Sequence, residues 1–571
     1  MYRLPVWVLA PLAALLVAAP SIGARGPSVD LIPAAMPPDY PDAVAKNAIR
    51  FACTFRQSDL PPFFATYNLP FEKRLVRERD GRWCHVFYEQ SIPGFRVHPD
   101  NRRVTELFMD MEKFSFLGLR SVRIGDSLDI AKQMLPLLPR RMTVHFGLPF
   151  KVEAKYFDAA RQFHFPKVDH NLLLRNNNSD ETNPWVQDYM KSGVANGREQ
   201  VLVTRMAYEG RQANGDVYRP LLDSLKEDRF QRSRLSWEGG DIQFAAHPKD
   251  PKRTVMFYGD SAATYWAYDL TPAEYQWILK VEFGADEAVD LSALVPHVDY
   301  LVCSLPEDNI LLLSEPMREN FEIARAALDI LMQHFDVQQP EELKELNRLM
   351  ASKETAFGAN RKEIRRVIEK ARKNEENWPI AVDSAFAAKL EGYVAANCPK
   401  DPLECVKPAG FSRLLGENRE MLEGWLMAGT RLREKEGLAR AVLSVIETNL
   451  PGHPVPTQPV IDARAAELER MGYRVIRVPR IGGRSGKDGW PGISYTNSAL
   501  IDNVLFLPQF GFGAAETAVF ANVRRQLPEK YRVAPIFARH MLVRNGGVHC
   551  VLAFIRSGAD PREAPGVSDG N

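Results

Sequence analysis

The chain has 571 residues, 45% of them hydrophobic and 10% aromatic, enough to build the cores of two or more domains. Its 73 lysines and arginines against 72 acids leave a net charge of +1, so composition gives no argument for nucleic acid, a membrane surface or a polyanion as partner.

The start, Met1-Tyr2-Arg3 followed by the apolar Val6 to Ala19 and the small Gly23-Ala24, reads as a signal peptide over 1–24, cleaved near Ala24. The apolar run is short for a membrane span, Pro11 and Pro20 interrupt it, and no later stretch is long and apolar enough to cross. The expectation is a secreted or periplasmic chain without a membrane span, in which disulfides can form. Cys398 and Cys405 flank a tight loop, and Cys53 and Cys84 form a second candidate pair. Spacing does not fix that connectivity. Cys303 and Cys550 are left over.

Residues 25–130 are rich in proline and aromatics, with short alternating runs such as Trp83-Cys84-His85-Val86-Phe87-Tyr88. They read as a small N-terminal β-containing domain in which no motif carries chemistry. From about 131 to 556 strand-like runs alternate with helical ones, at Glu199 to Thr204, Arg253 to Tyr258, Tyr473 to Val478 and Val504 to Leu507, which argues an α/β fold. Between about 315 and 450 the pattern turns helical. Phe321, Ala324, Leu328, Leu331 and Phe335 recur at three- and four-residue spacing, and Ile364, Val367, Ile368 and Ala371 make a second stripe. The charge run from Arg361 to Lys373 reads as a solvated face of that helical insertion. Ala515 to Leu527 reads as a further helix, and 557–571 as a disordered tail.

The chemistry gathers around Asn545-Gly546-Gly547-Val548-His549-Cys550, a cysteine presented straight after glycines and ahead of an apolar run. Upstream stand Trp185-Val186-Gln187-Asp188, Trp237-Glu238-Gly239-Gly240-Asp241 and His297-Val298-Asp299. Singly, Asp188 could cap a helix, Glu238 could be a turn acid, and His297 could be a satisfied core histidine. Jointly they suggest a site. On a strand His297 and Asp299 would share one face, with Val298 turned to the core. A free thiol is mostly protonated at neutral pH unless a cation stands by, either His297 or the ligand. Carboxylates near a thiolate make sense if the ligand brings positive charge, and a guanidinium is flat, permanently charged and rich in forked N–H donors. Its central carbon is also an electrophile.

In this order, and with Tyr495-Thr496-Asn497 and Pro508-Gln509-Phe510-Gly511 between, these motifs resemble the guanidine-modifying superfamily of arginine, agmatine and peptidylarginine deiminases. They look most like the peptidylarginine deiminase catalytic domain, over roughly 130 to 556. The resemblance implies a pentein fold, a five-bladed ββαβ α/β propeller, here with a helical insertion and a small N-terminal domain. It implies that Asp188 and Asp299 clamp the guanidinium, that Cys550 attacks its carbon, that His297 moves protons and that Glu238 orients His297. Asn497 and Trp185 would line the substrate site, and His549, directed away from Cys550 if both lie on a strand, would pack or cap.

The activity implied is hydrolysis of arginine to citrulline and ammonia through a covalent thiouronium, on an arginine-containing protein or peptide. Free-arginine or agmatine deimination, amidino transfer, cysteine peptidase activity and a non-catalytic arginine-binding scaffold are the rivals. Animal relatives of the peptidyl branch hold calcium through acids just after their Gln-Asp pair; here Tyr189, Met190 and Lys191 follow, and an ammonium is a poor neighbour for calcium. The expectation is activity without a cofactor or metal.

Overall fold

The computed structural model describes, apart from short gaps, residues 48–52, 72–110, 126–148, 171–176, 186–204, 225–259, 270–378, 438–481 and 493–557. The signal-peptide segment, Trp185, Cys53, Cys398, Cys405 and the tail beyond Ser557 lie outside the described residues. Two compact units part between Tyr88 and Glu89. The smaller holds one antiparallel sheet in which β3 (Gly81–Phe87) lies between β1 (Ala48–Ala52) and β2 (Glu72–Glu78).

The larger unit begins with β4 (Arg96–Val97), β5 (Val104–Asp110), β6 (Thr143–Leu148) and β7 (Asn171–Asn176). β8 (Met190–Ala195), β9 (Arg198–Val203) and β10 (Phe230–Arg232) come next, then β11 (Ile242–His247), β12 (Asp250–Tyr258) and β13 (Glu287–Asp290). β14 (Val302–Leu305), β15 (Ile310–Pro316), β16 (Arg474–Ile481) and β17 (Ile493–Ser494) follow. β18 (Ala499–Ile501), β19 (Val504–Gln509), β20 (Arg532–Phe537) and β21 (Ala553–Arg556) close the order.

These strands form five small mixed sheets on one plan, an antiparallel pair with a third strand parallel to its second member. The pairs are β8 with β9, β11 with β12, β14 with β15, β18 with β19, and β21 with β5. The parallel partners are β10, β13, β16, β20 and β6. A parallel neighbour needs a crossover, and helices Asp126–Met134, Pro272–Phe283, Gln458–Met471 and Gly513–Gln526 lie in four of these connections. Thr271-Pro272-Ala273-Glu274 starts the second with a reciprocal capping box, and Gly284, at φ 62°, ends it.

β15 shows how both sheet faces are used. Ile310 and Leu312 join one core, while Leu311 and Leu313 join another with Ile461, Ala465 and Leu468 of helix Gln458–Met471. The first core also takes in the helices between β15 and β16, at Phe321–His334, Glu341–Met350, Glu354–Ala359, Arg361–Asn374 and 438–448. Ala324, Leu328, Leu331 and Phe335 are buried there, as are Ile364, Val367, Ile368 and Ala371. Both sequence stripes therefore face the core. Most charges of Arg361–Asn374 lie outward, as in the exposed pair Arg366 and Glu363, whereas Arg372 turns in to the buried Glu447 at 2.7 Å. Among the described residues no helix is long and apolar enough to cross a membrane.

One boundary moves. The sequence places the end of the N-terminal domain at 130, yet β4 pairs with β8, and β5 lies between β21 and β6. Residues from Glu89 onward thus belong to the larger unit, because the sheet partners of β5 come from the far end of the chain. Such pairing leaves no local signal.

Candidate active site

Each of the five antiparallel pairs is entered by a tight turn, and the turns carry the chemistry. Val186–Tyr189 leads into β8, Gly239–Asp241 into β11, Val298–Tyr300 into β14, 495–498 into β18 and His549–Val551 into β21. Asp188, Asp299, Asn497 and Cys550 lie within these turns, while Glu238 and His297 occupy the extended residue just before theirs. Equivalent positions in five modules are thereby brought together. Ser494 and Thr496 tie two turns by donating their hydroxyls to the Tyr300 carbonyl at 2.6 and 2.7 Å. Thr204 holds the approach to Glu238, accepting from Trp237 N at 2.9 Å and donating to its carbonyl at 2.6 Å.

Gly240 marks the meeting point. A methyl group on its Cα would stand 2.8 Å from His297 Nδ1, 3.1 Å from Asp188 Oδ1 and 3.2 Å from Asp299 Oδ2. Three functional groups from three turns therefore share the space of one absent side chain. The Gly240 amide donates to Asp188 Oδ1 at 2.9 Å, and His297 Nε2 meets Glu238 Oε2 at 2.7 Å. Gly239 packs against the Gln187 carbonyl and Gly547 against the Asn497 amide, so neither position has room for a Cβ.

Cys550 is 7% exposed, and its thiol donates to Asp299 Oδ2 at 3.3 Å. Asn497, fully buried, donates its amide to the sulfur at 3.1 Å and accepts the His549 backbone N–H at 3.0 Å. Asp299 is 1% exposed, and its Oδ1 has no hydrogen-bond partner among the described residues. An ionised oxygen so placed is costly unless a donor reaches it. His297, with 28% of its side chain accessible, marks the wetter side.

The electrostatics follow from burial. Loss of water pushes the Asp188 carboxyl up to about 6, with the Glu238 and Asp299 charges adding and His297 and the Gly240 N–H opposing. Burial raises the Cys550 thiol well above its ordinary value, and Asp299 and Asp188 push the same way. At rest the sulfur is a thiol. Burial alone would lower His297, but the Glu238 hydrogen bond and the surrounding carboxylates outweigh it and raise it to about 10, so the ring is an imidazolium. A buried cluster of acids with one cation and one thiol is suited to accept a second cation.

The sequence-predicted residues Cys550, His297, Asp188, Asp299, Glu238 and Asn497 thus stand together; Trp185 lies outside the described residues. Two local expectations are corrected. His297 to Asp299 is no strand, though His297 and Asp299 still converge while Val298 goes to the core, because an extended residue followed by a turn produces the same result. His549 is not directed away from Cys550: both sit in one turn, and His549 Nδ1 meets Asp299 Oδ2 at 3.3 Å. Sequence reading missed Gly240, although the paired glycines of Glu238-Gly239-Gly240-Asp241 were a visible signal of close approach. Lys191, which follows Asp188 by three residues, is buried on β8.

Residues 457–553 match the model of the Porphyromonas-type peptidyl-arginine deiminase family, a stretch that contains Asn497, His549 and Cys550. The resemblance to the guanidine-modifying superfamily stands on that match. Among solved structures, an agmatine deiminase of C. jejuni aligns at 13% identity and TM-score 0.44, over 82% of this chain and 97% of that one. An agmatine deiminase of Enterococcus faecalis aligns at 9% identity and TM-score 0.42, over 82% and 97%. An amidinotransferase of saxitoxin biosynthesis from Microseira wollei aligns at 7% identity and TM-score 0.32, over 82% and 98%. No curated protein matches the chain.

Proposed function

Taking the family match over 457–553 as premise, we propose that this chain is a deiminase that hydrolyses the guanidinium of protein- or peptide-bound arginine to citrulline and ammonia. One observation carries the reading: Cys550 and the carboxylates of Asp188 and Asp299 surround a space bounded by Gly240 and the His297–Glu238 pair. The five sheets on one plan are read as five blades of a pentein propeller, with the functional turns at its centre.

The guanidinium enters between Asp188 and Asp299, where the unpartnered Asp299 Oδ1 accepts one of its N–H groups. Its charge offsets the carboxylates that keep Cys550 protonated, so the thiol gives up its proton to solvent as substrate binds. Asn497 steadies the resulting thiolate. The sulfur then bonds to the central carbon, and the carbon–nitrogen double bond opens to a tetrahedral adduct. His297, held as imidazolium by Glu238, gives a proton to the departing nitrogen, and ammonia leaves. A positively charged S-alkylthiouronium remains. Neutral His297 next takes a proton from water and hydroxide adds to the carbon; the carbon–sulfur bond then breaks, the hydroxyl proton passes to the leaving thiolate, and the urea group of citrulline is released with Cys550 again a thiol. The balance is one water consumed and one ammonia released.

A peptidyl substrate is supported by the family matched and by the leader-like residues 1–24, which suit a secreted or periplasmic enzyme meeting foreign proteins. The test is mass spectrometry of an arginine-rich peptide, of free arginine and of agmatine after incubation with the mature protein. A gain of about one dalton per modified arginine, absent with Cys550→Ala, is the outcome expected of covalent exchange of nitrogen for oxygen. Modification of agmatine or free arginine alone would overturn the peptidyl assignment. Transfer of the amidino group to an amine, new amino termini, or binding unaffected by loss of Cys550 would replace the deiminase reading altogether.

A further inference from the structure

The five strands that follow the functional turns, β8, β11, β14, β18 and β21, continue past them to line two cavities of about 330 and 260 Å³, counting open solvent at their mouths. Lys191 of β8 lines the first; Gln243, Ser304 and Leu500, of β11, β14 and β18, line the second; Asp100, His549 and Arg556 of β21 are common to both. Neither cavity is lined by Cys550, His297, Asp188, Asp299 or Glu238, so both lie outside the space that Gly240 bounds.

The charges lining the first cavity do not balance at close range. Lys191 is 7% exposed, and among the described residues its ammonium has no hydrogen-bond or ion-pair partner. Arg556, 4% exposed, donates from Nη1 to the Arg102 carbonyl at 2.8 Å, and its Nε stands 3.9 Å from Asp100 Oδ1, beyond hydrogen-bond reach. Most N–H donors of that guanidinium are therefore left for a ligand. The Phe244 and Phe554 rings, centred 5.8 Å from Lys191 Nζ and 4.7 Å from Arg556 Cζ, offer these cations only a weak attraction. Asp100 is the one acid lining the cavity among the described residues, and its Oδ2 already accepts from Phe244 N at 2.7 Å. The histidines of the wall are committed: His98 Nε2 meets Glu199 Oε2 at 2.7 Å, and His549 Nδ1 meets Asp299 Oδ2 at 3.3 Å. Two buried cations against one carboxylate leave a single positive charge, which is costly until an opposite charge reaches it.

We propose that the first cavity is a binding site for one small monovalent anion of halide size, held between the Lys191 ammonium and the Arg556 guanidinium. One negative charge completes the balance with Asp100, whereas a dianion would exceed it and be repelled by that carboxylate. The two basic groups disfavour a cation, and a water molecule would take their hydrogen bonds without neutralising the charge. The ion fastens β8 to β21, strands already joined where Ser192 Oγ accepts the Arg556 backbone N–H at 3.0 Å. Those two strands follow the turns that bear Asp188 and Cys550, so the ion stabilises the fold beside the catalytic turns. Nothing in the proposal depends on the deiminase reading.

The test pairs crystallography with thermal melts of the mature protein. In crystals soaked in sodium bromide, an anomalous peak is expected in the cavity, in contact with Lys191 Nζ and the Arg556 guanidinium. In solution, sodium gluconate, whose anion is too bulky for the site, is exchanged for chloride or bromide at constant ionic strength. Tm should then rise by about 1–2 °C for each tenfold increase of halide above its Kd. Lys191→Met, which packs on Phe244 without burying charge, should keep its Tm in gluconate and lose the halide increment, while Lys191→Arg retains it. Bromide at surface positions alone, or a halide increment that survives in Lys191→Met, overturns the proposal. A peak in the cavity with no increment in solution is binding at crystal concentration only and overturns it as well. Should Lys191→Met fail to fold, Lys191→Gln carries the same comparison.

Discussion

The thiol of Cys550 and the ring of His549, neighbours in one turn, both reach the same oxygen, Asp299 Oδ2, at 3.3 Å. His549 therefore fixes the carboxylate that the sulfur faces and leaves Oδ1 to the substrate. Replacing it should loosen Asp299 without removing any reacting group. His549→Ala is expected to lower kcat/KM about tenfold, the scale of a misdirected contact, while leaving Cys550 open to alkylation. Unchanged kinetics would show that Asp299 is held by other means.

The two perturbed groups set the pH behaviour. Asp188, raised by burial to about 6, must be ionised to hold a guanidinium, so kcat/KM should fall below about pH 6. The stability consequence has a definite sign. A proton held more tightly in the folded state stabilises it fully below the unfolded value, and that contribution is lost as pH rises through the folded value. For Asp188 the loss runs from 3.8 to about 6; for His297, raised by Glu238 and the neighbouring carboxylates against the effect of burial, it runs from 6.5 to about 10. Tm should therefore decline in both windows, the lower decline flattening in Asp188→Asn and the upper in Glu238→Gln. Thermal melts between pH 4 and about pH 10 check both signs.

Gly240 offers a steric test. In Gly240→Ala the new methyl meets His297, Asp188 and Asp299 together, and displacing reacting groups by about an ångström costs on the order of 100-fold in rate. Gly358→Ala, whose methyl would have its nearest neighbour at 3.8 Å, should keep full activity. Equal activity in the two variants would remove Gly240 from the centre of the site.

Calcium should be dispensable. The chelated protein is expected to keep its full rate, and added calcium to leave Tm unmoved, because the buried Lys191 follows Asp188 by three residues and an ammonium is a poor neighbour for an ion that takes oxygen ligands. A calcium titration that carries the enzyme from inactive to active would contradict this expectation.

Much of the site could be read in the sequence because its residues lie in short, chemically distinctive runs. Glu238-Gly239-Gly240-Asp241 and Gly546-Gly547-Val548-His549-Cys550 announce close backbone approach, and His297 and Asp299 arrive as a pair. The helical stripes from Phe321 and from Ile364 were legible for the same reason, since periodicity is local. What failed was non-local or depended on backbone detail. The pairing of β5 with β21 joins residues more than four hundred positions apart, so the domain boundary was misplaced. The short turn at His549–Val551 looks in sequence like the start of a strand, and that difference of local geometry reversed the direction assigned to His549.

The pairing of β21 with β5 also fixes when the molecule can become reactive. The nucleophile and the strand that closes the last sheet are separated by only two residues, and both follow β5, their sheet partner, by more than four hundred. A nascent polypeptide that has not reached Cys550 carries the acids and the imidazole without the sulfur that faces them. On the proposed deiminase function, ribosome-bound intermediates that stop before Cys550 have no nucleophile with which to modify the arginines of the cell that makes them.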